Sequence, residues 1–276
     1  MKEELNIAIR SAINAGFEIL KIYNSNNFNV KYKKDRSPVT LADELSNKII
    51  CKYLIKTGIP ILSEENDQVS YDFRKKWEKL WLIDPLDGTK EFIKKNGEFA
   101  VNIALIVNKT PKLGVIFIPV TSELYFSSPE YGSLKSHIKS KNSSLSSILK
   151  KSIKLPIEKN PSETFKITVS RSHKSVFFEK FLLQSKKKYS KVSILNKGSS
   201  IKLCIVAEGK ADCYPRFSPS MEWDTAAGQA ICFNAGYDLI DLVTKKNMVY
   251  NRINLTNNFF LVKKNNLRLI NSKPIK

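Results

Sequence analysis

The chain has 276 residues, of which 42% are hydrophobic, and a formal net charge of +20 at pH 7. This hydrophobic content can build a sizeable core and excludes a wholly disordered chain. The sequence contains no apolar run near the roughly 20 residues that a membrane-spanning helix needs. Because the N-terminus is charged, unlike a secretory signal peptide, and the four cysteines show no CxxC spacing, we expect a cytoplasmic protein with reduced thiols.

The positive charge has two explanations. It could attract a polyanion such as nucleic acid, an anionic membrane surface or a phosphorylated substrate. It could instead reflect lysine enrichment, because the chain is also rich in Asn and Ile, as coding from an AT-rich genome would produce. We favour the second explanation, although a positive field would still steer a small anionic substrate towards the protein.

Two helices are predicted near the N-terminus. Residues 3–23 place apolar side chains at helical spacing, which predicts an amphipathic helix packed on the core. Residues 28–33 are expected to form an edge strand. A second helix is predicted over 41–56, with Thr40 as its N-cap and Asp43 as the acidic partner of a capping box.

A short strand over 59–63 then leads to two adjacent acids, Glu64 and Glu65. Because neighbouring side chains on extended backbone point to opposite faces, we expect only one of them to point into a site. Residues 66–79 are polar and charged, which predicts a surface loop or a short helix.

Residues 81–92 read Trp-Leu-Ile-Asp-Pro-Leu-Asp-Gly-Thr-Lys-Glu-Phe and bring two carboxylates into a tight turn. The strand that opens this segment should end at Asp84, because Pro85 disfavours a helical conformation at the residue before it. Gly88 permits a close approach of the backbone to a ligand, and Thr89 is expected to begin a helix. Carboxylates and carbonyls are ligands of hard cations such as Mg²⁺, and helix N-termini bind phosphate. The segment therefore predicts a metal-assisted phosphatase.

The next segments predict a meander and then a connection. Residues 98–107 and 113–119 are apolar and β-rich, with a hairpin turn over 108–112, and 123–126 add a third strand. Residues 127–164 are rich in Ser and Lys, which predicts a loop.

We therefore divide the chain into two α/β halves that form one catalytic unit. The first half is 1–135 and carries the main metal site, the connecting segment is 136–164, and the second half is 165–276.

The second half opens with a predicted strand over 165–173 and a helix over 176–188. His173 is one of only two histidines, which excludes a histidine-rich metal site and makes oxygen-ligated Mg²⁺ the default. A lone histidine is usually structural, but strand-end loops often carry a binding site, so both roles stay open for His173.

Two further segments carry candidate phosphate ligands. Gly198 and Ser199 are predicted to open a helix that Gly209 ends, and Lys202 on this helix could reach a substrate phosphate. The strand after it ends at Arg216, whose guanidinium suits a bidentate contact with a second phosphate.

The last predicted helix begins near Glu222, with Asp224 at its N-cap and Gly236 beyond its end. The small residues 226–228 would let this helix pack closely against a neighbour. The remaining chain, through 259–262, is expected to add edge strands and a basic tail.

Several of these segments resemble the inositol monophosphatase superfamily of magnesium-dependent, lithium-sensitive phosphatases. Its two signatures are similar to Asp84-Pro-Leu-Asp-Gly-Thr89 and to Trp223-Asp-Thr-Ala-Ala-Gly228, and a third matching segment ends at Asp43. Lys90-Glu91-Phe92 resembles the 3′(2′),5′-bisphosphate nucleotidase branch, whereas inositol monophosphatases more often have Thr-Asn-Phe there. The Gly-Ala-Trp-like strand of the family is reduced here to Tyr131-Gly132-Ser133.

The resemblance implies a layered α/β fold, the αβαβα sandwich of the sugar phosphatases, with two or three Mg²⁺ ions. Implied roles are proton acceptance for Asp43, water activation for Glu64 with Thr89, and either a supporting position or a substrate contact for Glu65. The implied metal ligands are Glu64, Asp84, the Leu86 carbonyl, Asp87 and Asp224. The implied substrate contacts are Gly88, Thr89, Lys90, Ser170, His173, Ser199, Lys202, Arg216 and Asp224.

The implied reaction is hydrolysis of the 3′-phosphate of adenosine 3′,5′-bisphosphate to AMP and phosphate, in sulfur assimilation or nucleotide recycling. The 3′-phosphosulfate form is a related substrate. One alternative is a phosphatase of inositol or another sugar, and the missing Thr-Asn-Phe argues against inositol. The other is a basic nucleic-acid-binding protein, but the chain lacks such a motif and its carboxylates would repel phosphate without metal. The sequence leaves two questions open. One is whether the protein contacts an anionic membrane peripherally, at the cytoplasmic face of the inner membrane, and the other is its oligomeric state.

Overall fold

The structure, a computed structural model, describes residues 1–25, 27–33, 36–158, 163–171, 175–265 and 267. Its helices are α1 Lys2–Ser25, α2 Leu41–Leu54, α3 Tyr71–Arg74, α4 Thr89–Ile93, α5 Leu145–Lys150, α6 Val176–Lys188, α7 Ile201–Ala207 and α8 Glu222–Asn234, with a 3₁₀ turn at Ile55–Thr57 after α2. The strands are β1 Lys31–Tyr32, β2 Pro38–Val39, β3 Ile61–Ser63, β4 Lys79–Asp87, β5 Ala100–Val107, β6 Thr110–Ile118, β7 Glu123–Ser128, β8 Gly132–His137, β9 Ile153–Lys154, β10 Thr164–Val169, β11 Lys191–Asn196, β12 Cys213–Arg216, β13 Tyr237–Asp241 and β14 Phe260–Lys264.

The first large sheet has seven strands in the order β3-β4-β5-β6-β7-β8-β9. Only β3 and β4 pair in parallel, and the other neighbours are antiparallel, which confirms the predicted meander over β5, β6 and β7. Alternate residues of a strand face opposite sides of a sheet. Accordingly, Trp81 and Ile83 pack with α1 and α2, whereas Leu80 and Leu82 pack with α7 and α8.

The second large sheet has five strands in the order β11-β10-β12-β14-β13. One of its faces shares a core with α7 and α8, through Tyr214 and Phe260. Its other face packs against α6, through Phe165 and Phe178. The layers are therefore helix, sheet, helix, sheet, helix, which confirms the expected αβαβα sandwich.

The middle helical layer packs closely because its contact residues are small. A Cβ atom added to Gly114 of β6 would lie 2.2 Å from the Ala227 carbonyl oxygen of α8. A Cβ atom added to Gly228 would lie 2.2 Å from Leu203 of α7. This confirms that the small residues of α8 allow close packing.

The prediction of a loop over 127–164 was wrong. In the structure β7 continues to Ser128, and β8, α5 and β9 follow, so residues 127–154 complete the first sheet. Residues 159–162 lie outside the described ranges. Serine and lysine dominate the composition of 127–154, but Ser133 and Ser136 of β8 are buried, and strand pairing rather than composition decides its structure. The division of the chain into two halves at this segment stays a prediction.

Three smaller expectations also need correction. The edge strand predicted over 28–33 is only the two-residue strand β1, which pairs with β2. The segment 259–262 is not at an edge, because β14 lies between β12 and β13. The helix predicted to run to residue 56 ends at Leu54 and tightens into the 3₁₀ turn. None of the helices in the described ranges is long and apolar enough to cross a membrane.

Candidate active site

The end of β4 positions the central carboxylates. Asp84 pairs with Asn102 of β5, and the register then shifts before Asp87 pairs with Ala100. The expectation that the strand ends at Asp84 was therefore wrong, because a bulge accommodates Pro85, which lacks an N–H to pair.

Gly88 follows this bulge with a left-handed φ of +98°. A Cβ atom at Gly88 would lie 2.8 Å from the carbonyl oxygen of Glu98, so the turn needs glycine on two counts. Thr89 is the first residue of α4, as predicted. The chain therefore reverses tightly and brings Thr89 back towards the carboxylates.

Three acids from three different elements form a cluster that can hold a cation. Carboxylate oxygens of Glu64, Asp84 and Asp224 all lie within 4.8 Å of one another. Burial raises the pKa of Asp84 well above its usual range, and the neighbouring charges of Glu64 and Asp87 raise it further. The same causes raise the pKa of Asp224 to about 8. Such crowded carboxylates fit a divalent cation, which would supply the missing positive charge.

Asp224 reaches this cluster from the first turn of α8. Its Oδ2 accepts a hydrogen bond of 2.8 Å from the amide of Met221, which is the N-cap. The prediction that Asp224 itself is the N-cap was therefore wrong. It is the third residue of the helix, where a carboxylate caps the backbone from inside the first turn.

Glu64 and Glu65 follow β3 in a turn rather than on extended backbone. Lys33 donates hydrogen bonds to both of them, over 2.9 Å and 2.6 Å. We expected the two side chains to point to opposite faces of a strand, but both contact Lys33. They do so because both acids lie beyond the end of the strand. Of the two, only Glu64 belongs to the three-acid cluster.

Asp43 is buried at the start of α2, where the predicted capping box with Thr40 is confirmed. Its Oδ2 accepts hydrogen bonds from the Thr40 amide and hydroxyl, over 2.8 Å and 2.6 Å. Its Oδ1 accepts a hydrogen bond of 3.0 Å from Thr89 Oγ1. Burial raises the pKa of Asp43 despite these donors, so the group is suited to receive a proton. The same Thr89 hydroxyl lies 3.3 Å from the Leu86 carbonyl oxygen.

Asp87 lies near the cluster but has partners from the second half of the chain. Its Oδ2 accepts hydrogen bonds from Ser199 Oγ, over 2.7 Å, and from the Ser200 amide. Its charge raises the pKa of Asp84 and Asp224, which places it close to both. Asn102 was missed by the sequence argument, yet it receives the Ser200 hydroxyl at 2.7 Å. Metal ligation by Asp87 stays a prediction.

A cavity of about 350 Å³ opens beside these carboxylates. Among the predicted substrate contacts, those that line it are Gly88, Lys90, Ser170, Ser199, Lys202, Arg216 and Asp224. His173 lies outside the described residues. Arg171 and Tyr214 also line the cavity, although the sequence argument did not select them.

Two cations in the cavity wall are held by protein oxygens. Lys202 is buried, and its Nζ donates to the Ser199 carbonyl over 2.5 Å and lies 5.4 Å from the centre of the Tyr214 ring. Arg216 donates through Nη1 to Ser170 Oγ over 2.8 Å and through Nη2 to the Pro219 carbonyl over 2.9 Å. Both positive charges therefore have fixed positions beside the acids.

Comparison with known proteins identifies the family of this chain. The sequence model described as the inositol monophosphatase family matches residues 1–272. The chain is 41% identical over 228 residues to a "3′(2′),5′-bisphosphate nucleotidase CysQ" of Buchnera aphidicola, covering 82% of this chain and 79% of that protein. It is 40% identical over 233 residues to the Escherichia coli protein of the same name, covering 83% and 87%.

A solved structure is similar over almost the whole chain. It is the crystal structure of CysQ from Bacteroides thetaiotaomicron, a bacterial member of the inositol monophosphatase family, with a TM-score of 0.85 and 42% identity. The match covers 94% of this chain and 96% of the other. The chain described here belongs to the inositol monophosphatase family.

Proposed function

We propose that this protein is a metal-dependent 3′(2′),5′-bisphosphate nucleotidase. It hydrolyses the 3′-phosphate of adenosine 3′,5′-bisphosphate to give AMP and phosphate, and it accepts the 3′-phosphosulfate form as a related substrate. The observation that carries this proposal is the 41% identity to a named nucleotidase over four fifths of the chain. The cluster of Glu64, Asp84 and Asp224 beside a cavity of nucleotide size agrees with it.

The carboxylates fit Mg²⁺, which prefers oxygen ligands. Glu64, Asp84 and Asp224 would hold the ion or ions, with Asp87 and the Leu86 carbonyl as further ligands. When bound, Mg²⁺ supplies activation of water and neutralises negative charge on the phosphate. We propose two or three ions, because the four acids outnumber the charges that one ion can balance.

Asp43 and Thr89 provide a path for the proton of the attacking water. The Thr89 hydroxyl donates to Asp43 Oδ1, so the lone pairs of Thr89 Oγ1 remain to accept a proton from the attacking water. As Thr89 gains that proton, it passes its own to Asp43, whose raised pKa allows it to hold the proton. Glu64 lies near enough to raise the pKa of Asp43 further, which supports its proposed role in activating the same water.

The rest of the cavity binds the substrate. The backbone amides of Gly88 and Thr89, at the start of α4, would donate to the phosphate that is cleaved. Lys202 and Arg216 supply fixed positive charge further along the wall. Ser170, Ser199 and Lys90 remain proposed substrate contacts on the strength of their positions in the lining.

The test is phosphate release from adenosine 3′,5′-bisphosphate and from inositol 1-phosphate, with Mg²⁺ and then with EDTA. Wild type is compared with Asp84→Asn, which removes the central charge of the cluster but keeps the size of the side chain. We expect wild type to prefer the nucleotide and to lose activity in EDTA. We expect Asp84→Asn to lose roughly 10³-fold in kcat/KM, in keeping with several kcal/mol of lost charge stabilisation.

Asp72→Asn is the matched control, because it is the same substitution at a side chain that is 84% exposed. It should behave as wild type. A preference for inositol 1-phosphate would agree with the proposed metal site but would overturn the proposed nucleotide substrate. No release from either compound would overturn the enzyme assignment, and steep salt-dependent binding of nucleic acid without Mg²⁺ would then support the other class of function. A cytoplasmic location stays a prediction.

A further inference from the structure

Glu98, just before β5, joins three parts of the chain through its buried carboxylate. Its Oε2 accepts hydrogen bonds of 2.8 Å from the Gly198 amide and 2.9 Å from Arg171 Nε. Its Oε1 accepts one of 2.7 Å from Arg171 Nη2, and Lys197 Nζ lies 3.3 Å away. These donors hold the pKa of Glu98 down, at about 2. The carboxylate is therefore charged at all physiological pH values.

Glu98 also contacts the turns on both sides of the cavity. Its carbonyl oxygen lies 2.8 Å from where a Cβ of Gly88 would be, and its own Cβ lies 3.2 Å from where a Cβ of Gly198 would be. Gly88 precedes Thr89, and Gly198 precedes the serines that bind Asp87. One acid thus links the turn at the cleaved phosphate with the turn at the opposite wall.

Arg171 binds Glu98 through one edge of its guanidinium. The two bonds to Glu98 use Nε and Nη2, and Nη1 makes no hydrogen bond to any residue in the described ranges. The side chain is 50% exposed and lines the same cavity as Asp87 and Asp224. A guanidinium oriented by a carboxylate on one side presents its remaining N–H groups in a fixed direction, which suits a phosphate.

The other arginine of the cavity differs in this respect. All three Arg216 nitrogens donate to protein oxygens, those of Ser170, Ser218 and Pro219. Arg216 therefore keeps free N–H groups only on nitrogens that already donate to protein, whereas neither N–H group of Arg171 Nη1 has a partner among the described residues. Glu91 is a further acid near Arg171, and it also raises the pKa of this guanidinium.

We infer that Arg171 binds the phosphate of the substrate that is not cleaved, and that Glu98 is the positioning residue that holds the guanidinium for this contact. The inference rests on the proposed function, because it requires a substrate with two phosphates. The cleaved phosphate lies at the carboxylates and Thr89, and the second phosphate lies at the rim of the cavity, where Arg171 is partly exposed. Arg171 thereby separates bisphosphates from monophosphates.

The test compares adenosine 3′,5′-bisphosphate with adenosine 3′-monophosphate, which lacks only the second phosphate. We expect wild type to prefer the bisphosphate, and Arg171→Ala to reduce that preference in kcat/KM by roughly 10- to 100-fold. The loss should appear in KM rather than kcat, because a contact made equally in the ground and transition states affects binding alone. Arg171→Lys should recover only part of the preference, because an ammonium cannot take the place of an oriented guanidinium.

Glu98→Gln tests the positioning role. We expect this variant to lose part of the preference for the bisphosphate, and we expect its KM for the bisphosphate to change more than its kcat. Thermal unfolding of this variant shows whether it folds, and Arg171→Ala keeps the inference testable if it does not. Lys197→Ala is the control, because Lys197 touches the same carboxylate but does not line the cavity. It should keep the preference.

The outcomes separate the inference from the proposed function. If wild type prefers the bisphosphate and Arg171→Ala keeps that preference in full, the inference is overturned and the function stands. If wild type hydrolyses both nucleotides equally well, the inference is also overturned. If wild type hydrolyses neither nucleotide, both the proposed function and the inference are overturned.

Discussion

Thr89 donates a hydrogen bond of 3.0 Å to Asp43, although 46 residues separate the two in the chain. The contact joins the first residue of α4 to the first turn of α2. Thr40 occupies the other oxygen of the same carboxylate, so the Asp43 side chain has a fixed orientation. A proton path through Thr89 therefore requires the packing of α2 against the end of β4.

Thr89→Val should reduce kcat by roughly 10²- to 10⁴-fold, the range for loss of a general acid–base group. Valine keeps the shape of threonine but has no hydroxyl to pass a proton to Asp43. Steady-state phosphate release from adenosine 3′,5′-bisphosphate measures the change, and KM should move much less than kcat. Thr89→Ser keeps the hydroxyl and should retain most of the activity, so an equal loss in both variants would contradict the proton path.

Removal of metal should make stability depend on pH in a defined direction. Folding raises the pKa of Asp224 from its ordinary value of 3.8 to about 8. Between these values the folded protein binds more protons than the unfolded one, so the free energy of unfolding of the metal-free protein falls as the pH rises. In EDTA we expect a lower Tm at pH 8 than at pH 5.

Adding Mg²⁺ should raise Tm more at pH 8 than at pH 5, because the cation binds the charged form of the cluster. Asp224→Asn is the control and should lose part of the pH dependence seen in EDTA. A Tm in EDTA that rises between pH 5 and pH 8, in wild type but not in this variant, would contradict the assigned direction.

Glu208 should be important for stability rather than for catalysis. It is buried, accepts a hydrogen bond of 2.8 Å from the Tyr125 hydroxyl, and pairs with Lys135 and Lys210. Glu208→Ala should reduce the free energy of unfolding by roughly 3–5 kcal/mol. The reason is that it leaves the Tyr125 hydroxyl without its acceptor and the partly buried Lys135 with Glu123 alone. Denaturant unfolding measures this loss.

Glu123→Ala is the matched comparison, since Glu123 pairs with the same Lys135 but its side chain is 29% exposed. Its loss should stay below about 1 kcal/mol. Equal losses in the two alanine variants would show that burial does not set the energy of this network.

Gly114→Ala should destabilise the fold more than Gly228→Ala. The new methyl of the first variant would meet the backbone carbonyl of Ala227 in α8, whereas that of the second would meet the Leu203 side chain. A side chain can change its rotamer, but a helix backbone must shift as a whole, so we expect a loss of about 3 kcal/mol or more for Gly114→Ala. Thermal unfolding of both variants checks the order, and the reverse order would contradict the packing described for α8.

Local pattern was sufficient for much of the fold. The periodicity of α1, the capping box of α2 and the meander of β5, β6 and β7 each depend on residues that lie close together in the chain. The turn after Asp84 could also be predicted from the sequence, because proline fixes its own φ and glycine permits a positive φ. The resemblance of the segment around Asp84 to a family signature then selected the acids from distant parts of the chain.

Local pattern failed where pairing between distant strands decides the outcome. Residues 127–154 have the composition of a loop but join the first sheet, and Asp84 lies on a strand that continues past Pro85. In both cases a partner strand supplies hydrogen bonds that the segment itself does not reveal. The position of β14 between β12 and β13, inside its sheet, was missed for the same reason.

The residues around the carboxylates were identified from the sequence, but their partners were not. Lys33 reaches Glu64 from 31 positions away, and Glu98 holds Arg171 across 73 positions. Neither pair has any local signal, because ionic contacts between distant residues depend on how the layers stack. The amino-acid pattern alone determined which groups can bind metal and phosphate, and the packing of the helices and sheets decided which charges face them.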